Sequence, residues 1–319
     1  MKKLIIAILI IAMTVSCVAA FAGCESADYN VGIVQFAPHT ALDAANNAFQ
    51  AKLAELMKAE GKTVKFYNNN ATGEVSNATT AAETLVNRNV DMIFAIATPA
   101  ALAVQAATKD IPVVFTAVTS AQTAGLTDSN ITGVTDLNDV DMQVDLMAKL
   151  VPSATKMAIL YSRDEPNSEL QKNLAVEAME AKGITVVVQG ISDMQDVEPA
   201  FNNFKKEGVQ CIYIPTDNRL AEGASSVHSA NMATEANIPI VCGETEMNKL
   251  CGIATYGVNY AKLGEQSAQV AFDILFNGKK PSEIVVVDPV VTADDFSISE
   301  DIATAIGFTI PDEVLALAK

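Results

Sequence analysis

Ile96-Ala97-Thr98-Pro99 closes the apolar run Met92-Ile93-Phe94-Ala95-Ile96, and a helical stretch then leads to Ile111-Pro112-Val113-Val114. Ile214-Pro215-Thr216-Asp217 closes Cys211-Ile212-Tyr213-Ile214, and another helical stretch leads to Ile238-Pro239-Ile240-Val241. Both times an unbroken apolar run is followed closely by a threonine, turns into a helix and returns in a strand that opens with Ile-Pro. Short apolar runs bounded by turn signals read as strands buried on both faces. Strand, helix and strand in that order imply a parallel sheet covered by helices on both sides. The echo predicts two similar α/β lobes, although so short a match is also open to chance. It places Thr98 and Thr216 at equivalent carboxyl ends of strands, where open α/β sheets bind ligands.

The rhythm extends in both directions. Before and around the first echo, strands are expected at residues 31–34, 64–67, 92–96, 111–115 and 131–134. Helices are expected at 41–59, 75–88 and 99–108, the first with Leu42, Ala45, Phe49, Leu53 and Leu56 on one face. A second set has strands at 157–161, 184–188, 210–214 and 238–241, with late strands at 253–256 and 284–287. Its helices are expected at 167–181, 197–206, 219–236 and 261–276.

A chain of 319 residues suits two ordinary domains or one large α/β domain. Half of it is apolar, which excludes disorder, and five cysteines are too few for a disulfide scaffold. With 38 acidic against 21 basic residues, it lacks the basic face that nucleic acid requires. His39 and His228 are the only histidines and no Cys-x-x-Cys pair occurs, so a zinc site of His and Cys is nearly excluded. Cys211 reads as a core residue; Cys242 and Cys251 read as unpaired thiols, with a short-loop disulfide the alternative.

Lys2 and Lys3, the apolar run from Leu4 and the small residues up to Gly23 describe an export signal. Its end, Phe21-Ala22-Gly23-Cys24, resembles a bacterial lipoprotein box, in which cleavage precedes a cysteine that carries diacylglycerol. Thr14-Val15-Ser16-Cys17 is a second candidate, and an uncleaved anchor or cleaved secretion are the alternatives. No later segment is long enough to cross a bilayer.

Several motifs together resemble a bacterial family of substrate-binding lipoproteins that serve ABC importers. They are Val31-Gly32-Ile33-Val34-Gln35-Phe36, His39 with Ala41-Leu42-Asp43-Ala44-Ala45, Ala97-Thr98-Pro99-Ala100, Asn130-Ile131-Thr132-Gly133-Val134, Glu165-Pro166-Asn167-Ser168, Pro215-Thr216-Asp217-Asn218 and Ala254-Thr255-Tyr256-Gly257. The resemblance runs from about Asp28 to the C-terminus. It implies a type I periplasmic-binding-protein fold: two Rossmann-like lobes with parallel sheets and three crossings, near Asp136-Leu137, Gly257-Val258 and Asp288-Pro289. On that basis residues 1–23 are the signal and 24–28 a lipidated linker. Residues 29–136 with 258–288 form the N-terminal lobe, and 137–257 with 289–319 the C-terminal lobe. Family members with an assigned ligand take up tryptophan, tyrosine or related amino acids. Ser120 and Asn259 stand where the family often has Asp, which weakens any transfer of ligand identity.

Pro99 at the first turn of its helix leaves backbone N–H groups free for a ligand carboxylate, with Ala100 in the same turn and Thr98 adding a hydroxyl. The same Thr-Pro reads equally as an ordinary helix start. Asp217, at the equivalent strand end of the other lobe, is expected to pair with a ligand ammonium, to cap the next helix, or both. Gln35 and Phe36 follow the first strand, and Phe36 and Tyr256 would frame an apolar side chain. His39 is as suited to a loop hydrogen bond as to a ligand contact. Asn167, Ser168 and Glu244 complete the expected ligand-binding set, to which the resemblance adds Thr119, Thr216 and Asn218.

Enzyme signatures fail: there is no Gly-x-Ser-x-Gly elbow, no phosphate loop and no dinucleotide-binding glycine pattern. The sequence therefore predicts a binding protein without catalytic residues, cofactor or metal, monomeric, held to the membrane by lipid on Cys24. It would capture a hydrophobic, preferentially aromatic, amino acid by lobe closure and pass it to an ABC permease and its ATPase. A branched-chain amino acid, sugar or nucleoside is the alternative ligand, and a secreted hydrolase the remaining class.

Overall fold

The computed structural model describes residues 27–225, 232–292 and 295–318. The first sheet contains β1 (Tyr29–Gln35), β2 (Val64–Asn70), β3 (Met92–Ile96), β4 (Val113–Val118) and β5 (Ile131–Thr135), all parallel, in the order β2-β1-β3-β4-β5. β3, β4 and β5 are buried at every residue, which is why β3 reads as an unbroken apolar run and β4 departs from one only at Thr116. β2, at the edge, alternates and carries Asn68, Asn69 and Asn70. The second sheet contains β6 (Lys156–Ser162), β7 (Thr185–Ile191), β8 (Ile212–Ile214) and β9 (Ile240–Cys242), again parallel, in the order β7-β6-β8-β9. Each lobe thus places its second strand outside its first and its third inside. β3 and β8 occupy the same position, and Thr98 and Thr216 follow them as the echo predicted.

Most expected elements lie within one or two residues of the observed ones. The helix Thr40–Ala59 buries Leu42, Ala45, Phe49, Leu53 and Met57; Leu56 is only half-buried, because the contact stripe follows the 3.6-residue period onto Met57. Phe49 stacks on Phe94 of β3 with ring centroids 3.6 Å apart. The segment expected as a strand at 284–287 is not one. Val287 makes a single parallel bridge to Val134, and Val285 is 85% exposed. The expected helix 219–236 is described as Asn218–Ser225 and Met232–Ala236, and residues 226–231 lie outside the described residues. An antiparallel pair, β10 (Ala254–Tyr256) with β11 (Phe296–Ile298), brings the C-terminal segment onto the second lobe.

The chain passes between lobes after β5, between β10 and the helix Tyr260–Leu275, and between Val287 and β11. That helix returns to the first lobe and lies along Thr40–Ala59. Gly264 permits the approach, since a Cβ there would sit 2.2 Å from the carbonyl oxygen of Ala45. One core contains β1 to β5 with the returning helix, including Val258, Tyr260 and Leu263. The second lobe has two core layers, one on each face of its sheet. Among the described residues, no helix is long and apolar enough to cross a membrane.

Candidate functional site

The carboxyl ends of both sheets face each other across a narrow cleft. From the first lobe it is lined by His39 after β1, Ala117 in β4, Asp136 after β5, and Tyr260. From the second come Asn167 after β6, Thr216, Asp217 and Asn218 after β8, Ala221, and Glu244 after β9. Ligands of open α/β sheets bind at this end, beside the point where strand order reverses. An adjoining hollow shares Asn167 and adds Thr98, Thr119, Ser120, Thr123, Pro166 and Leu170. The space open to the centre of a water-sized sphere in the first of these is about 10 Å³, enough for roughly one water. Entry of anything larger requires the lobes to separate. A larger cavity, about 350 Å³, lies outside the cleft beside the crossings, with Lys249, Asn259 and Phe296 in its wall.

Backbone irregularity shapes the first lobe's wall. The β4–β5 register slips between Phe115 and Val118, an extra residue on β4 that forms a bulge, and Ala117 within it has φ of 55°. Gly133 lies beneath the bulge, where a Cβ would come 2.1 Å from the carbonyl oxygen of Phe115. Ala97, before the helix Thr98–Ala107, has φ of 81° and ψ of 153°, a region nearly reserved for glycine. Such a residue costs on the order of 1–3 kcal/mol, and this one turns the chain into the cleft. Thr98 is buried and its Oγ1 has no hydrogen-bond partner among the described residues.

The cleft is acidic. Asp136 is 3% exposed and accepts from Tyr260 Oη at 2.7 Å and Thr119 Oγ1 at 3.1 Å. Burial pushes its carboxyl above the usual range. Glu244 is 2% exposed and caps the helix Thr245–Cys251 through the backbone N–H groups of Glu246 and Met247, each at 2.6 Å. Burial raises it to about 7. No Lys or Arg is among the described residues lining the cleft. His39 is buried, and burial holds its imidazole down at about 4, so the ring is neutral. Across the cleft, His39 Nε2 meets Asn218 Oδ1 at 3.4 Å, and Gln171 Nε2 donates to Thr119 Oγ1 at 3.2 Å.

Some expected site residues have other work. Asp217 lines the cleft, but its two oxygens accept from Ser162 N (2.6 Å), Ser162 Oγ (2.8 Å), Ser168 Oγ (2.9 Å) and Leu220 N (2.9 Å). Four donors fill a carboxylate's capacity, so Asp217 caps the helix Asn218–Ser225 and ties β6 to it instead of meeting an ammonium. Tyr256 is absent from the cleft lining: its ring packs on Phe296, centroids 5.1 Å apart, in the second lobe's core. The cleft's aromatic ring belongs to Tyr260, four residues on. Phe36 is buried in the first lobe's core. Gln35 donates to Ala37 O and Asp43 Oδ1 and accepts from Asn46, fixing the loop after β1. Pro99 and Ala100 are buried in the first turn of Thr98–Ala107. Thr216 holds Gln171 through its backbone N–H and its hydroxyl.

Sequence reasoning missed Asp136, read only as a crossing point, along with Tyr260, Gln171 and Glu165. Asp136 had a usable signal, as the first acidic residue after a buried strand. Cys242 and Cys251 are free, their Sγ atoms 3.7 Å apart, and Cys211 is a buried free thiol, in keeping with the unpaired reading. Cys24, Cys17 and His228 lie outside the described residues.

Residues 30–319 match the family model described as ABC transporter substrate binding protein. The chain is 32% identical over 275 residues to a tyrosine-binding protein of Clostridioides difficile, covering 84% of this chain and 77% of that one. It is similar to an ABC domain from Streptococcus pneumonia in complex with L-Trp, with TM-score 0.82, 29% identity, and 90% and 97% of the two chains covered. It is also similar to the ligand-free, open structure of a substrate binding protein with adhesive properties from Clostridium difficile, with TM-score 0.64, 30% identity, and 89% and 96% covered. At nearly equal identity, the chain superposes better on the L-Trp complex than on the open relative. The two facing α/β lobes, the acidic cleft between their strand ends and these relatives converge: the chain belongs to the ABC transporter substrate-binding protein family.

Proposed function

We propose that this protein captures an aromatic α-amino acid, tryptophan or tyrosine, between closing lobes and delivers it to an ABC permease. As a substrate-binding protein it works outside the cytoplasm, and its family binds and delivers substrates rather than converting them. The observation that carries the reading is the pair of buried carboxylates, Asp136 and Glu244, facing one cleft without a basic residue among the described lining. Buried charge is stable only when paired, and a ligand ammonium supplies the missing partner. The hydroxyl of Thr98 in the adjoining hollow, unpartnered among the described residues, suits the carboxylate. Tyr260 gives the side chain an aromatic wall. The relatives named for tyrosine and L-Trp support the choice of side chain.

In the same reading, residues 1–23 are a signal, lipid on Cys24 holds the protein to the membrane, and it works as a monomer. The lobes divide at the crossings, as residues 29–136 with 258–288 and 137–257 with 289–319. A thermal-shift screen of the twenty amino acids, small sugars and nucleosides tests the ligand, since binding to the folded form alone raises Tm by mass action. Tryptophan or tyrosine should give the largest rise. Shifts confined to sugars or nucleosides would refute the assignment.

A further inference from the structure

Glu165 stands just before the helix Pro166–Ala181 and is 3% exposed. Its Oε2 accepts from Asn167 Nδ2 at 3.1 Å, Asn218 Nδ2 at 2.6 Å and Asn218 N at 3.0 Å, and its Oε1 accepts from Arg219 N at 3.0 Å. Above about pH 7, to which burial raises it, Glu165 is ionised, and an ionised carboxylate accepts and donates nothing. Both asparagines must therefore turn nitrogen toward Glu165 and oxygen away from it. For Asn167 the choice is fixed twice, because Nδ2 also donates to the carbonyl of Thr216 at 2.9 Å. With Asn218 Oδ1 facing His39, His39 Nε2 must carry the proton, and in the neutral ring Nδ1 is left as a bare lone pair. Asn167 Oδ1 and His39 Nδ1 are both buried without a hydrogen-bond partner among the described residues, and both residues line the cleft.

We propose that Glu165 is a positioning residue: through Asn167, Asn218 and His39 it makes this wall of the cleft accept hydrogen bonds only, so that the site selects a ligand by its ammonium hydrogens. The inference rests on the reading of the ligand as an α-amino acid. Glu165 need not touch the ligand: it is buried, four protein donors already reach it, and it is not among the described residues lining the cleft. The chain of orientation runs from a carboxylate in one lobe to an imidazole in the other, so the acceptor wall is complete only when the lobes meet. A ligand that offers a single hydroxyl in place of the ammonium leaves acceptors facing one another.

The test compares L-tryptophan and L-tyrosine with their α-hydroxy acid analogues, indole-3-lactate and 4-hydroxyphenyllactate, by calorimetry on wild type, Glu165→Gln and Glu165→Asp. Glutamine has one accepting end where glutamate has two, so the amides lose their fixed direction. The wild type should prefer the amino acid, and Glu165→Gln should shrink that preference about tenfold or more, the value of one hydrogen bond to a charged group. Glu165→Asp should keep most of it. An unchanged preference in Glu165→Gln, even with both affinities lowered together, would assign Glu165 a merely structural role and overturn the proposal. A second measurement needs no variant of Glu165. Nitrogen-15 spectra of labelled histidine, assigned with His39→Gln because His228 is the only other histidine, should show His39 protonated at Nε2 and not at Nδ1 at pH 8.5, where Glu165 is ionised. An Nδ1–H tautomer or a charged ring there overturns the proposal even if Glu165→Gln does not fold. If wild type binds neither amino acid, the functional reading falls, and the tautomer still judges the orientation.

Discussion

Replacing Asp136 with asparagine should move stability and binding in opposite directions. The side chain keeps its shape and can still accept from Tyr260 Oη at 2.7 Å, but it no longer carries charge. In the native protein that carboxylate is 3% exposed, receives two hydrogen bonds, and takes part in no ion pair among the described residues. A ligand ammonium that lost this partner would be buried beside one acid fewer, a loss of about 3–5 kcal/mol, or roughly two to four orders of magnitude in Kd. Without ligand the effect reverses. Burial raises the Asp136 pKa on folding, so its contribution to stability is full below the unfolded value and is lost as pH rises through the folded one. The asparagine side chain does not titrate. Asp136→Asn should therefore melt at or above wild type at pH 8, with the difference shrinking toward pH 4. Isothermal titration with tryptophan and tyrosine, paired with melting curves across that range, reads both effects. Binding within a few-fold of wild type would remove Asp136 from the site. A variant that weakens binding and melts well below wild type at pH 8 would mean that Asp136 acts by holding the fold.

Glu165 and Glu244 are each raised to about 7, and Asp217 is raised as well, all mainly by burial. Urea midpoints of the protein without ligand should accordingly fall between pH 5.5 and 8.5, and a midpoint that climbs over that interval would contradict the buried acids. Gly264→Ala would drive a methyl to 2.2 Å from the Ala45 carbonyl. Separating the two helices should cost about 1–3 kcal/mol in chemical denaturation, and an unchanged midpoint would show that they do not approach this closely. Cys24→Ala should abolish lipid labelling and release the protein from membranes; retained lipid would point to Cys17 instead.

The architecture was legible because burial on both faces of a parallel sheet writes itself locally. Strand β3 is an unbroken apolar run and β4 nearly one, and Thr40–Ala59 shows its stripe at helical spacing. Where local burial was a weak guide, the reading slipped. Ile284-Val285-Val286-Val287 has the composition of a strand, yet it finds one bridge and leaves Val285 in solvent, because composition does not supply a partner strand. The site was partly legible. Thr98, Asn167, Thr216, Asn218 and Glu244 all face the cleft or its adjoining hollow, since the ends of parallel strands are predictable positions.

The sequence by itself determined two α/β lobes of like topology, which strand ends face the cleft, and the apolar faces that pack them, because each depends on periodicities within one segment. The tertiary structure alone decided what the polar atoms at those ends do. Asp136 and Asp217 both follow buried strands and look alike in sequence. They part because Ser162, 55 residues before Asp217, brings two donors to it, while Asp136 receives two bonds in all and keeps capacity for a ligand. Tyr256 and Tyr260 stand four residues apart on opposite sides of a crossing, one packed on Phe296 and the other bonded to Asp136. Whether a buried carboxylate is a cap or a counter-charge depends on how many donors reach it, and here several of those donors come from distant parts of the chain.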